Sequence, residues 1–372
     1  MNWQVFFNSM YQSIVRTVKK DWIYVILLCV NVTLLFGVQS HKESNELDSS
    51  GIIENSVQDV RRGQLFDMLQ EGETNQGFVV LAGVLLAAVI AGIVLLIVFL
   101  MRGFSCRKKQ CSIASITHEE VQAEEDVAYS TNLDTVQWTF WDVCKVLIVF
   151  FSAYFSFSVL QELALSLLGV SGETINYDFL MIMDMFFSEI VAIFFLLRFV
   201  RVHHGVSLRS FGLHVRRFGM FFLFGLASYL MFLPAFFLIN IVTILVGKMF
   251  SIELQPQEIF YMFTQESHFS AYQMGVVVLF VSVIGPLFEE IFFRGFVYRI
   301  VKKYCGYIPA LLISALFFAY VHHNFMAFLP IFALGIILGV HLERTGSLVS
   351  SVVMHALVNS VSLALLFTLI HS

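Results

Sequence analysis

Charge is what this chain has least of. Only 13% of its 372 residues are Asp, Glu, Lys or Arg, about half the roughly 25% of a typical soluble domain. Hydrophobic residues make up 58% and the mean hydropathy is +0.81, which excludes an ordinary water-soluble globular protein. Proline is almost as scarce, at 5 residues, so long apolar helices meet few breaks. A basic surplus is missing too. Lys and Arg total 22 against 27 Asp and Glu, a net charge of −5, and this balance excludes a nucleic-acid-binding surface. The composition implies an all-α, polytopic transmembrane helical bundle whose main partner is the lipid bilayer.

About nine apolar runs are long enough, or nearly so, to cross roughly 30 Å of hydrocarbon. They lie at Trp22 to Val38, Phe78 to Met101, Val143 to Gly169, Phe179 to Val200, Phe218 to Val246, Met274 to Val301, Ile308 to Val321, Phe325 to His341 and Leu348 to Ile370. Orientation follows from the basic flanks, which stay on the cytoplasmic side. Arg16, Lys19 and Lys20 precede the first run, Arg102, Arg107, Lys108 and Lys109 follow the second, and Arg198, Arg201, Arg209, Arg216 and Arg217 lie between the fourth and fifth. The stretch from Gln39 to Gly77 is mostly acidic and belongs outside. The N-terminus is therefore expected in the cytoplasm, with the chain integral to the membrane. The first run also fits a secretory signal with a cleavage site after Val38-Gln39-Ser40, but its long basic lead favours a retained anchor.

None of Cys29, Cys106, Cys111, Cys144 and Cys305 falls in an outside loop, so no structural disulfide is expected. Cys106, Cys111 and His118 lack the fourth ligand of a structural zinc site. Composition shifts divide the chain into three units. Residues 1–101 form an accessory pair of spans with an acidic outer loop, 102–137 a cytoplasmic linker, and 138–372 a seven-span core.

An ionisable group inside a span costs about 2.5–3.5 kcal/mol on insertion scales, so each needs a partner or a task. Three polar clusters interrupt the last hundred residues: Glu289, Glu290 and Arg294; Phe318 through His322; and His355 with Asn359. Residues four apart share a helix face, which pairs Glu290 with Arg294 and leaves Glu289 without a local partner. Glu289 and His322 stand at similar distances on either side of the turn near Cys305, hence at matching depth, and His355 falls close to that level. A desolvated glutamate can take a proton from water, while histidine and an amide can stabilise an oxyanion. The same residues allow a second chemistry, in which His322 and His355 hold a metal ion and Glu289 either activates its bound water or joins as a ligand. His203, His204, His214, His268, His323, His341 and His371 receive no role.

Other protease signatures are missing. There is no His-Glu-x-x-His, since His118-Glu119-Glu120 fails at Gln122, no Gly-x-Gly-Asp and no Gly-x-Ser-x-Gly elbow. What is present resembles the CPBP family, the CAAX-processing and bacteriocin-processing (Abi) membrane endopeptidases that include the Rce1-like proteases. The pattern is Glu-Glu-x-x-x-Arg at Glu289, Glu290 and Arg294, Phe-x-x-x-His at Phe318 and His322, and His-x-x-x-Asn at His355 and Asn359. The stretch from Gly335 to Gly339, followed by Arg344 to Leu348, looks like the bacterial members' lead into the third motif.

The resemblance covers about residues 140–372. It implies peptide-bond hydrolysis in the membrane, on a peptide or protein substrate that is membrane-associated or lipidated. Glu289 would activate water, with His322, His355 and Asn359 as its partners and Glu290 and Arg294 ordering the site. Family members are commonly labelled metallopeptidases, so zinc stands beside a metal-free glutamate mechanism. Two other classes of function compete: a catalytically silent scaffold, such as an immunity or secretion partner, and an ion- or proton-coupled transporter using Asp178, Asp184 and Glu189.

Overall fold

The computed structural model describes residues 136–169, 175–206, 211–213, 217–250 and 269–370, together with Ile23, Tyr24, Ile26, Leu27 and Val30 of the first run. Most of the two N-terminal units, with Cys29, Cys106, Cys111 and His118, lies outside the described residues. The described part is helical throughout: α1 (Phe140–Leu168), α2 (Tyr177–His204), α3 (Phe218–Met249), α4 (Ala271–Cys305), α5 (Tyr307–Tyr320), α6 (Phe325–Thr345) and α7 (Leu348–Ile370). All except α5 are long and apolar enough to span a membrane. These seven helices are the seven runs of the expected core, and the protein is a polytopic helical membrane bundle.

Local chemistry sets the helix ends. At α1 the Asp142 carboxylate accepts from the Thr139 backbone N–H at 2.7 Å, and at α2 the Asn176 side chain accepts from Phe179 N–H at 2.9 Å. The Asn324 side chain does the same for Ala327 N–H at the start of α6. The helix α2 continues past Val200 to His204, so His203 and His204 are helical rather than loop residues. His204 Nε2 stands 3.7 Å from Asp142 Oδ2. Both described cysteines, Cys144 and Cys305, are free thiols.

Large apolar side chains such as Leu160, Phe194, Leu223 and Leu245 are exposed, as expected of helices whose solvent is lipid. Helices α1 and α2 pair with each other, and α3 packs on α6 and α7. Helix α4 is central, touching α2, α5, α6 and α7. Gly225 lets α3 approach α7, because a Cβ there would lie 2.7 Å from the Ser350 carbonyl oxygen.

Helix α4 is not a regular α-helix. Two π-helical stretches, Phe280–Ile284 and Ile291–Val297, flank the six-residue segment Gly285–Glu290. A π-turn leaves backbone carbonyls without their ordinary partner, and in a bilayer these must be met inside the protein. Side chains from elsewhere meet them. Trp138 Nε1 donates to the Phe296 carbonyl at 3.2 Å, and the Trp138 ring stacks between Phe211 and Phe296 with centroids 5.3 Å from each. Ser314 Oγ on α5 donates to the Phe293 carbonyl at 3.4 Å.

Trp138 is completely buried and joins the start of α1 to α4. Trp138→Ala is expected to cost about 3–5 kcal/mol, the range for deleting a buried aromatic. Unfolding of the detergent-solubilised protein measures this, and a loss below about 1 kcal/mol would contradict the anchoring role.

Candidate active site

The two glutamates sit between the two π-turns of α4, and the altered helical pitch sets where each points. Glu290 is fully buried. Its Oε1 forms an ion pair with Arg294 Nη1 at 2.8 Å and accepts a hydrogen bond from His355 Nδ1 at 3.1 Å. The expected Glu290–Arg294 pair is thus present, with His355 of α7 added to it. Arg294, 1% exposed, also donates from Nη2 to the Gly335 carbonyl on α6 at 3.4 Å. Its guanidinium lies over the Phe318 ring, 4.2 Å from the centroid. Gly335 permits this approach of α5 to α6, since a Cβ there would lie 2.9 Å from that of Ala315.

Glu289 is more open, with 24% of its side chain exposed, and its Oε2 stands 3.7 Å from His355 Nε2. That oxygen is sealed from solvent and has no hydrogen-bond partner among the described residues. His355 therefore bridges the two glutamates, with one ring nitrogen toward each. A carboxylate only accepts hydrogen bonds, so Nδ1 donates to Glu290, while Nε2 faces Glu289.

His322 does not lie within a helix. Helix α5 ends at Tyr320, and His322 falls in the turn before α6, where His323 takes a left-handed conformation (φ 47°) and Asn324 caps the next helix. The apolar run reaches Val321, but the left-handed residue and the cap end helical pairing earlier. His322 is half-buried and its Nδ1 donates to the Phe318 carbonyl at 2.7 Å, which frees Nε2. The Phe318 ring lies 4.9 Å from the His322 ring and 5.5 Å from the His355 ring. This aromatic side chain thus connects all three polar clusters.

Asn359 occupies the turn after His355 but makes a contact the sequence did not suggest. Its Nδ2 donates to the Val281 carbonyl at 3.0 Å, in the first π-turn of α4. The cause is local. Gly285 N–H bonds to the Phe280 carbonyl, and Pro286, next in π register, has no N–H to offer Val281. Asn359 supplies the missing donor and holds α7 against α4, leaving one amide hydrogen for another acceptor.

Among the described residues no three His, Cys, Asp or Glu side chains are gathered so as to hold a metal ion. Each of the two histidines does anchor Nδ1 on an oxygen and leave Nε2 available, as metal-binding histidines do. The arrangement shown nonetheless does not fit a zinc ion on His322, His355 and Glu289.

Two further buried groups lie near the site. His341, given no role from sequence, is buried in the last turns of α6, its ring 5.1 Å from that of Phe224. Glu189 of α2 has Oε2 sealed without a hydrogen-bond partner among the described residues, and it interacts electrostatically with Glu289. Its only signal in sequence was an acid within an apolar run.

Comparison with known proteins finds two similarities. Residues 272–361, from the start of α4 to just past Asn359, match the family model described as type II CAAX prenyl endopeptidase Rce1-like. The membrane-embedded CAAX protease MroQ of Staphylococcus aureus (strain USA300) is 33% identical over 96 residues, covering 24% of this chain and 38% of that relative. The chain thus aligns with well under half of that relative's length. No solved structure matches. Both matches bear out the resemblance to CPBP-family intramembrane proteases that the three motifs carry.

Removing one partner of a buried ion pair costs about 3–5 kcal/mol, whereas replacing both with apolar groups is often neutral. Glu290→Leu is expected to lower the yield of monodisperse protein sharply, and Glu290→Leu with Arg294→Met to restore it. Size-exclusion chromatography of membrane extracts reads both. Normal yield of the single variant would show that Arg294 does not depend on Glu290.

Proposed function

We propose that this protein is an intramembrane endopeptidase that hydrolyses a peptide bond in a membrane-associated or lipidated peptide or protein. The observation that carries this reading is the bridging position of His355. Arg294 fixes Glu290, Glu290 fixes His355 Nδ1, and His355 Nε2 faces the unpaired oxygen of Glu289. Each group limits the freedom of the next, and the series ends at the more exposed carboxylate, the one water can reach.

In this reading Glu289 takes a proton from water, and the hydroxide so formed adds to the scissile carbonyl carbon. In this reading His355 carries a proton on each ring nitrogen, so that Nε2–H attracts and orients the Glu289 carboxylate. His322, with Nδ1 spent on the Phe318 carbonyl, presents Nε2 to the site and as an imidazolium donates to the developing oxyanion. The second amide hydrogen of Asn359 is a further donor. The proton held on Glu289 then passes to the leaving amine, which restores the carboxylate. Glu290 and Arg294 order the site and take no part in proton transfer.

The substrate class follows from the family description and the name of the relative, both of which concern CAAX proteins, and from the site's place in a helical membrane bundle. The same reading sets the chain in a bacterial cytoplasmic membrane with its N-terminus inside. The N-terminal spans and linker are accessory units beside a protease core at 138–372. The zinc alternative needs His322, His355 and Glu289 to gather more closely than they do here, so the route proposed uses only the chain's own groups.

Purified wild type and Glu289→Gln, each in detergent, should be offered a mixed library of lipidated and unlipidated peptides. Wild type is expected to cleave, and the variant to be slower by about 10²-fold or more at equal folded yield. Equal rates would remove Glu289 from the chemistry, and no cleavage by wild type would return the scaffold and transporter readings. Chelation is expected to leave the wild-type rate within about twofold. Loss of activity that zinc restores would instead make the histidines ligands.

A further inference from the structure

The fourth apolar run contributes two acids to the bundle interior, and their surroundings differ. Asp184 accepts from Ser158 Oγ at 2.7 Å, an interhelical bond that ties α2 to α1. Among the described residues Glu189 has no comparable contact. Its Oε2 is sealed from solvent and lacks a hydrogen-bond partner among the described residues. Helix α2 packs directly on the Gly285–Glu290 segment of α4, and Glu289 is the charged group that acts on Glu189. Glu289 Oε2 is sealed and unpartnered in the same way. Two carboxyl groups on packed helices thus each carry a shielded, unpartnered oxygen and feel one another's charge, while the nearby Arg294 cation is already engaged by Glu290.

Like charges so placed in a low-dielectric bundle do not both ionise, and such a pair holds one proton in common. We infer that Glu189 is a positioning residue for Glu289: it keeps that proton and donates it as a hydrogen bond to the Glu289 carboxylate, directly or across one water. This contact holds Glu289 from the α2 side while His355 faces it from α7. It also relieves the repulsion between the two acids and leaves Glu289 ionised, as a base must be. The consequence for hydrolysis rests on the function proposed above, whereas the proton-sharing pair does not.

The experiment has two arms on the full-length protein in detergent. In the first, an infrared difference spectrum of wild type minus Glu189→Gln at neutral pH is expected to show the C=O stretch of a protonated carboxylic acid. The same subtraction in a Glu289→Gln background is expected to find that band displaced or lost. A difference spectrum with no acid band, or a band indifferent to Glu289→Gln, would overturn the pairing. In the second arm, Glu189→Leu is expected to lower kcat by about tenfold or more, with KM within about twofold and yield unchanged. Glu189→Gln, whose amide N–H can donate where the O–H did, is expected to recover most of that loss. Full kcat in Glu189→Leu, or a Gln variant as slow as Leu, would overturn the positioning role. If wild type cleaves nothing, the peptidase reading falls on that result and the infrared arm still decides the pair.

Discussion

A guanidinium with almost no exposure, in the interior of a helical bundle made mainly of Phe, Leu, Ile and Val, is a demand that the surrounding structure has to meet. Removing an arginine from water costs several kcal/mol even after relaxation, and Arg294 recovers this only through several contacts at once. Glu290 supplies charge, the Gly335 carbonyl an acceptor and the face of Phe318 a cation–π surface. These partners come from α4, α5 and α6, so satisfying one side chain fixes three helices. His355 extends the same constraint to α7 through Glu290. The group left at the edge of this assembly is Glu289, which borrows its setting from partners whose own geometry is already fixed.

The backbone of α4 imposes a second demand of the same kind. Its π-turns release carbonyls in a region where water is not at hand. Trp138, Ser314 and Asn359, from three other parts of the chain, supply the donors. Each is a specific tertiary bond in a bundle whose remaining contacts are mostly apolar and tolerant of sliding. Apolar packing brings the helices together, and these polar contacts set their register and rotation.

Much of this was legible in the sequence. The run marked from Phe218 begins where α3 begins, and that from Leu348 to Ile370 coincides with α7, because uncharged stretches of bilayer length leave the backbone little choice but helix. The Glu290–Arg294 pair could be read from spacing alone, being local to one helix. Contacts that depend on how two helices are rotated against each other could not be read. Nothing in the sequence shows that His355 would join Glu290, that Asn359 would serve the Val281 carbonyl, or that Glu189 and Glu289 would each be left with a sealed, unpartnered oxygen on packed helices. The π-turns were hidden for a related reason. Periodicity within a helix that is apolar nearly all round is too weak to reveal a one-residue change of pitch, although Pro286 marks where a backbone donor is lost.

A π-turn is equivalent to an α-helix into which one residue has been inserted, each residue turning the helix by about 100°. Helix α4 has accommodated that kind of change on both sides of its paired glutamates. Had either extra residue not been accommodated, the part of the helix beyond it would present a different face to α2, α5 and α7. Point replacements alone could not readily recreate that rotation. Insertion and deletion, usually confined to loops, are in this helix the changes that would decide which side chains meet in the middle of the membrane.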